Sequence, residues 1–412
     1  MVKSGASSRA EGTSGIDYAR MMPLMFAVFV NIAGFSLILP LLPFYGPLFG
    51  AGPFEVALLF AAYSFGNVFG EIFWGRQSDR WGRRKVLVFT TAGAALTYVA
   101  FAFAPVLWLA VAVRVVSGFF GGTLSVAQGF LADASPPEKR AKAMGLFGAS
   151  FSLGFAFGPV IGGLLAGAGT TLADFRPPIL AAGALCAITA LWSLLVLRDV
   201  RPPAGKAAPL PRYGEAFGYV ATHPLLLRLF VISFAGIAAF ASMEAVYGLW
   251  SEANFGWNAR DLGFAFVAIG IGGLVVQLFF LHPLVSRFGE GRVITGGLAV
   301  LAASMLLQPI LREPYVAVAL MGLLMVGHSL AFPTAGALTS RTAPVGQQGS
   351  VMGLMMASNA FSRIVAPPAF GLIYEAGHDL PWYAGAAMIA LFVPLALQLV
   401  PLTRRAHEPA LS

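Results

Sequence analysis

Four ionisable side chains lie inside long apolar stretches of this 412-residue chain, and they are the residues best suited to chemistry: Glu71, Arg114, Glu244 and Arg363. A charge at the centre of a bilayer costs about 2.5–3.5 kcal/mol on insertion scales, so such residues mark ion or substrate pathways. Arginine keeps its proton, whereas burial favours the neutral form of a carboxyl group. Glu244 is therefore the leading candidate for a proton carrier and Glu71 the next, with salt bridging to the nearby basic loop as the alternative for Glu71. The two arginines are candidate partners in proton coupling, and a structural role satisfied by backbone carbonyls is the alternative for Arg114.

Composition places these residues in a membrane. The chain is 58% hydrophobic and 11% charged, against about 25% charged residues in soluble domains. About 20 apolar residues span the hydrocarbon core. The predicted spans are 22–44, 55–74, 86–104, 106–132, 141–167, 177–198, 225–250, 261–285, 292–311, 314–338, 350–376 and 381–402.

Charge distribution predicts the topology. Gly75–Lys85 places five cations and one acid between two spans, so this segment must be a loop at one membrane face. Arg176, Arg260 and Arg312 are the cations predicted on the other side. The positive-inside rule then predicts both termini in the cytoplasm of a multi-pass cell membrane protein, the inner membrane if the source is bacterial. The net charge of +8 reflects this bias and not a nucleic-acid partner.

Several other functions lack support in the sequence. The polar first twenty residues are not followed by a cleavable signal pattern, and the single cysteine, Cys186, excludes an internal disulfide and a thiolate metal cluster. The five histidines are too scattered to predict a metal site, and no phosphate loop or nucleophile turn is present. We therefore expect no cofactor, no ATP drive and no enzymatic activity.

The sequence repeats at about half its length. Met144-Gly145-Leu146 recurs as Met352-Gly353-Leu354, and Pro159 recurs at the same offset as Pro367. Two pseudo-symmetric six-helix bundles of an all-α membrane protein follow. The predicted organisation is a polar N-terminus at 1–21, bundles at 22–198 and 225–402, a Pro-rich linker at 199–224 and a tail at 403–412.

Four segments carry a resemblance to a known family: Gly34–Pro43, Gly75–Lys85, Arg114–Gly118 and Gly154–Gly163. They contain, in order, glycine followed by Pro-x-x-Pro, then Gly-x-x-x-Asp-Arg-x-Gly-Arg-Arg, Arg-x-x-x-Gly and Gly-Pro-x-x-Gly-Gly. Together they resemble the major facilitator superfamily, and within it the twelve-helix drug:proton antiporters that include tetracycline exporters. The resemblance implies a monomeric carrier without a cofactor, which exchanges protons for a small molecule by alternating access.

Gating residues are expected in the loop and in a glycine stripe. Gly154, Gly158 and Gly162 share one helix face, which predicts close helix contact, either as ordinary packing or where the two halves rock against each other. Asp79 is expected to pair with a helix end or an arginine of the other half, with topology anchoring as the alternative role of its loop. The complete set of gating candidates is Gly75, Asp79, Arg80, Gly82, Arg83, Arg84, Asp133, Arg140, Gly154, Gly158, Pro159, Gly162 and Gly163.

The substrate cavity is expected to be apolar and aromatic with scattered polar contacts, which suits amphipathic organic molecules. Its candidate residues are Asn31, Phe35, Phe119, Phe120, Gln128, Phe240, Tyr247, His328 and Asn359. The leading function is proton-coupled efflux of a drug or antibiotic. Related antiporters often carry an acid in the first or third span, which this sequence lacks, and this absence counts against proton coupling. A facilitator or proton symporter importing a small metabolite is the alternative, because a fold by itself does not fix the direction of transport or the substrate.

Overall fold

The computed structural model describes residues 18–134, 140–166, 170–197, 213–344 and 347–402, which are almost entirely helical. A helix satisfies its backbone hydrogen bonds internally, as hydrocarbon requires. Within these residues the long helices are α1 (Tyr18–Ile38), α2 (Pro53–Trp81), α3 (Arg83–Ala102), α4 (Leu107–Phe120, continued by Thr123–Ala134), α5 (Arg140–Leu165), α6 (Arg176–Val196), α7 (Pro224–Phe255), α8 (Ala259–Phe288), α9 (Glu290–Leu307), α10 (Pro314–Thr342), α11 (Gln348–Ala376) and α12 (Leu380–Leu397).

Eleven of the helices in the described ranges are long and apolar enough to cross a membrane. The exception is α11, which has the length but a lower hydropathy because it contains Asn359, Arg363 and two prolines. Each of the twelve predicted spans coincides with a long helix, so the predicted all-helical architecture is confirmed. The linker predicted at 199–224 also contains a short helix, Tyr213–Thr222, which packs on α7 and α11.

The two halves share one helix arrangement. Helix α1 packs on α5 and α6 as α7 packs on α11 and α12, and α3 packs on α6 as α9 packs on α12. The turn after the second helix of each half contains a glycine with positive φ, Gly82 at 95° and Gly289 at 80°, a conformation that other residues rarely adopt. Between the halves, α2 packs on α11 and α5 on α8, so the second helix of each half meets the fifth helix of the other.

The bundle has two ends. We call the end with the α2–α3 turn and its cations the basic face, and the end with the α1–α2, α7–α8 and α11–α12 turns the opposite face. Close contacts between the halves lie towards the opposite face, where a methyl group added to Gly163 would come within 2.8 Å of the Ala259 carbonyl oxygen. A methyl group on Gly371 would likewise come within 2.8 Å of the Pro53 carbonyl oxygen. The described helices are therefore in tight contact at the opposite face.

Two helices depart from regular geometry where they approach the centre. After Ile38 the first helix continues as short turns to Phe49, because Pro40 and Pro43 cannot donate backbone hydrogen bonds. Helix α8 contains a π-helical turn at Val276–Phe280, a feature that is frequent at functional sites. Within it, Gln277 accepts a hydrogen bond of 3.2 Å from the Ser152 hydroxyl of α5, across the two halves.

Candidate transport site

A small pocket lies between the two halves at the centre of the bundle. It is lined by Phe35 and Leu39 of α1, Phe60 and Ser64 of α2, Arg114 of α4, Ala241 and Glu244 of α7, and Arg363 and Pro367 of α11. Its volume is about 20 Å³, which is room for about one water molecule. Three of the four ionisable residues singled out in the sequence therefore line one pocket, although they belong to three different helices.

Arg114 is the most deeply buried of these groups, with 1% of its surface exposed. Its Nε donates a hydrogen bond of 3.3 Å to the Leu59 carbonyl oxygen, and its guanidinium lies 4.7 Å from the centre of the Tyr63 ring. Its Nη1 is buried and has no hydrogen-bond partner among the described residues. A purely structural arginine would have its donors satisfied, because an unpaired buried donor costs about 1–3 kcal/mol.

Arg363 is placed between acids from both halves. It interacts electrostatically with Glu244 of α7 and with Glu71 of α2. No ion pair within 4 Å joins these three residues in the described part of the chain. Acids from both halves therefore share one cation as an electrostatic partner. Glu71 does not line the pocket itself, but it belongs to the same electrostatic group.

A second polar group lies in the C-terminal half. The His328 ring lies 4.4 Å from the Phe240 ring and 4.5 Å from the Phe332 ring, measured between centroids. Nε2 of His328 and Oδ1 of Asn359 are both buried without a hydrogen-bond partner within the ranges described. Asn359 precedes Arg363 by one helical turn on α11. Buried polar atoms of this kind are normally satisfied by protein, water or ligand, so these two atoms are candidate contacts for a water or a bound molecule.

Several predicted cavity residues lie elsewhere. Phe119 and Phe120 pack against Trp74 of the same half, where the Trp74 indole donates a hydrogen bond of 2.9 Å to the Phe119 carbonyl oxygen. Tyr247 packs against Trp250 and Trp382. The residues outside the small pocket also include Asn31, which is half-buried, and Gln128, which is exposed. Aromatic residues in a bundle face packing partners more often than ligands, and sequence spacing does not separate the two.

The predicted clasp of Asp79 with the other half is not formed in this conformation. Asp79 instead pairs at 2.7 Å with Arg83 of its own half, and 58% of its side chain is exposed. Arg83 also donates a hydrogen bond of 2.6 Å to Ser78, and Arg84 bonds the carbonyl oxygens of Ser193 and Leu194 at the end of α6. The structure also corrects the prediction that Gly75–Lys85 is a loop, because α2 runs to Trp81 and α3 begins at Arg83, which leaves only Gly82 outside a helix. The described contacts tie this segment to the N-terminal half. Gly75, Arg80 and Gly82 belong to the same segment, and Gly82 forms its turn.

The glycine stripe packs inside one half and not between the halves. Gly154, Gly158 and Gly162 all lie against α1, and a methyl group on Gly158 would come within 2.0 Å of the Ser36 hydroxyl and 2.5 Å of the Ala33 carbonyl oxygen. Two residues next to this stripe on α5, Pro159 and Gly163, face the other half. Gly163 lies against Ala259 and Gly263, and the backbone oxygen of Pro159 lies near Gly263. The two faces of α5 therefore have different roles, which the i, i+4, i+8 spacing alone did not reveal.

The side chains of two predicted gating residues, Asp133 and Arg140, lie outside the described residues. In contrast, two pocket residues and one neighbour of Arg114 are well placed although they were not among the predicted site residues. Phe60 and Ser64 line the pocket, and Tyr63 stacks on Arg114. The spacing of Phe60, Ser64 and Glu71 along α2 puts them on one helix face, and this pattern is the signal that could have identified them.

The sequence comparison decides the family. Two overlapping segments, 24–253 and 229–412, match the Major Facilitator Superfamily. The chain belongs to the major facilitator superfamily. This member of the superfamily is 30% identical over 326 residues to the tetracycline resistance protein, class C, of Escherichia coli, covering 78% of this chain and 81% of the relative. It is 25% identical over 373 residues to multidrug resistance protein 2 of Bacillus subtilis (strain 168), covering 89% and 92%.

Solved structures agree on the fold of this superfamily member. The crystal structure of the D-xylose-proton symporter superposes with a TM-score of 0.77 at 14% identity, covering 95% of this chain and 99% of that one. At this identity the likeness concerns the fold alone. The family match and the class C relative confirm the resemblance to tetracycline exporters, and the solved structure agrees with the predicted major facilitator fold. The chain is a multi-pass membrane protein of a transporter family.

Proposed function

We propose that this protein exports small amphipathic organic molecules in exchange for protons, by alternating access between its two halves. The observation that carries the proposal is the convergence of Arg114 from one half with Glu244 and Arg363 from the other on a single central pocket. A site at the interface of the halves changes its surroundings whenever the halves rock, so it can bind a proton on one side and release it on the other.

The pocket suits a proton better than a drug. Its volume accommodates about one water molecule, and Glu244 is the one carboxyl group among the described residues that line it. When Glu244 is charged, Arg363 is attracted to it; when Glu244 is protonated, the attraction of Arg363 to Glu71 dominates. Protonation thereby shifts a cation between an acid of one half and an acid of the other, which couples proton binding to the contact between the halves.

The aromatic group beside His328 suits the organic substrate. Phe240 and Phe332 flank the imidazole, and the unpartnered atoms of His328 and Asn359 can hydrogen-bond a polar substituent. Apolar walls with a few polar groups are typical of sites for drug-sized ligands. The relatives named for resistance to tetracycline and to multiple drugs support a substrate of this amphipathic class.

The distribution of cations indicates which face of the protein lies in the cytoplasm. The basic face carries Arg76, Arg80, Arg83, Arg84 and Lys85, so we assign it to the cytoplasm together with both termini. The conformation with the opposite face in contact is then the state in which the outer side is closed. We place the protein in the cell membrane as a monomer.

The test is transport in proteoliposomes with an imposed pH gradient. Purified protein is reconstituted, and a panel of tetracyclines, quinolones, lipophilic cations and small metabolites is screened for movement against the direction of the proton flow. Gradient-driven substrate movement opposite to the protons, abolished by a protonophore, is the expected result. Movement of a metabolite in the same direction as the protons contradicts export and identifies a symporter. Transport that is unaffected by the gradient identifies a facilitator.

A further inference from the structure

A groove runs along the outside of α2 and α4, away from the central pocket. It has a volume of about 470 Å³ and is lined by Phe69, Ile72, Phe73, Arg76, Gln77, Arg80 and Phe119. On α2 these residues lie on the side opposite to Ser64 and Glu71, as a helix of 3.6 residues per turn requires. Ser64 lines the central pocket. The groove therefore faces the surrounding bilayer and is separate from the transport site.

The two ends of the groove differ in polarity. Its apolar part consists of exposed aromatic and aliphatic side chains, with Phe69 54%, Ile72 51% and Phe73 47% exposed. Its other end, at the basic face, is formed by Arg76 and Arg80, which are both exposed. From Phe69 to Arg80 the helix rises about 16 Å, which is about half of a 30 Å hydrocarbon core. The groove thus has the depth of one bilayer leaflet, with its cations at the headgroup level.

Among the described residues, no acid pairs with either of the two arginines. In the part of the chain that the structure describes, neither Arg76 nor Arg80 forms a hydrogen bond or an ion pair. They are four residues apart on one helix, so their like charges are neighbours and repel each other. A phosphate group between two guanidinium groups would remove this repulsion and accept paired hydrogen bonds.

We propose that this groove binds an anionic phospholipid, with one acyl chain along Phe69, Ile72 and Phe73 and the phosphate at Arg76 and Arg80. Cations beside transmembrane helices attract acidic headgroups. This charge complementarity selects an anionic lipid over a zwitterionic one. The site is independent of the substrate and of the proton pathway, so it stands whether or not the proposed export activity is correct.

The test measures lipid binding directly. Purified, delipidated full-length protein in neutral detergent is titrated with phosphatidylglycerol or phosphatidylcholine, and bound lipid is counted by native mass spectrometry. We expect phosphatidylglycerol to bind more tightly than phosphatidylcholine, and the double variant Arg76→Gln/Arg80→Gln to lose about tenfold or more of that affinity. The matched control is Arg287→Gln, which removes the equivalent exposed cation of the other half and should leave the affinity unchanged.

Three results would overturn the proposal: unchanged phosphatidylglycerol affinity in the double variant, an equal loss in the Arg287 control, or displacement of the lipid by inorganic phosphate at similar concentration, which would identify a simple anion site. If the double variant does not purify, photoactivatable phosphatidylglycerol is applied to the unmodified protein. Labelling of peptides containing Phe73 or Phe119 supports the groove. Labelling confined to other peptides contradicts it.

Discussion

The Glu375 carboxylate of α11 accepts a hydrogen bond of 3.2 Å from the backbone N–H of Phe54, in the first turn of α2. This contact joins the two halves at the opposite face, beside the close approach of Gly371 to Pro53. The first N–H groups of a helix have no partner within the helix and carry partial positive charge. A carboxylate supplied by the other half therefore acts as a cap that is present only when this face is closed.

Removing this cap should favour opening of the opposite face. A carboxylate at a helix N-terminus contributes about 0.3–1 kcal/mol, so Glu375→Ala should raise the open population about 2- to 5-fold. The measurement is the distance between spin labels at positions 51 and 378, with the buried Cys186 replaced by alanine. The control is Glu55→Ala. The Glu55 carboxylate accepts a hydrogen bond of 3.0 Å from the Gly52 N–H at the start of the same helix, but it does not join the halves. An equal shift in both variants would contradict the role of Glu375.

Glu244→Gln should abolish gradient-driven transport and preserve substrate exchange in the absence of a gradient, because glutamine retains the shape of the side chain but cannot carry the proton. The measurement is pH-driven flux and counterflow in proteoliposomes. Glu252→Gln is the control, since Glu252 lies on the same helix but is exposed and outside the pocket. Full pH-driven transport by Glu244→Gln would remove this residue from the mechanism and leave Glu71 as the next candidate.

Arg114→Met should abolish transport without lowering thermal stability. Replacing a buried charge that is incompletely satisfied with an apolar side chain of similar size is often neutral or stabilising. Thermal unfolding in detergent and flux in proteoliposomes are measured in parallel. The matched control is Arg176→Met, because Arg176 also lies over an aromatic ring, Phe103, at 5.1 Å but outside the pocket. A marked loss of stability together with retained transport would show that Arg114 is structural.

Alanine substitutions should separate the two faces of α5. Gly158→Ala overpacks the α1 contact, where such strain typically costs about 1–3 kcal/mol, so the unfolding temperature should fall. The methyl group that Gly163→Ala adds would lie against Ala259 of the other half. This variant should therefore change the distance between the spin labels at positions 51 and 378, with a smaller effect on the unfolding temperature. Gly148→Ala, which would have only the Gln277 amide nearby at 4.0 Å, is the neutral control. The reverse order of effects would contradict the assignment of the faces.

Asp79→Asn should leave thermal stability nearly unchanged, because exposed ion pairs four residues apart on a helix contribute only about 0.3–0.5 kcal/mol. Turnover should nevertheless fall if Asp79 pairs across the halves in the alternate conformation. Flux at saturating substrate and expression level are the two readouts. Wild-type turnover in this variant would leave the loop as a topology anchor alone.

The hydropathy and charge of the sequence by themselves determined the membrane class and the twelve spans. These properties are local: about 20 apolar residues must span hydrocarbon, and the segment Gly75–Lys85 cannot enter it. The same local cost singled out Glu71, Arg114, Glu244 and Arg363, because a charge within an apolar run is visible without any knowledge of packing.

Only the tertiary structure decided which side of each helix meets which neighbour. The spacing of Gly154, Gly158 and Gly162 predicts a close contact, but α1 and α8 are both possible partners, and the fold places α1 there. Phe119 and Phe35 are equally aromatic in sequence, yet one packs near Trp74 and the other lines the pocket. Helix periodicity specifies the relative directions of side chains on one helix, whereas the rotation of that helix within the bundle depends on contacts with distant parts of the chain.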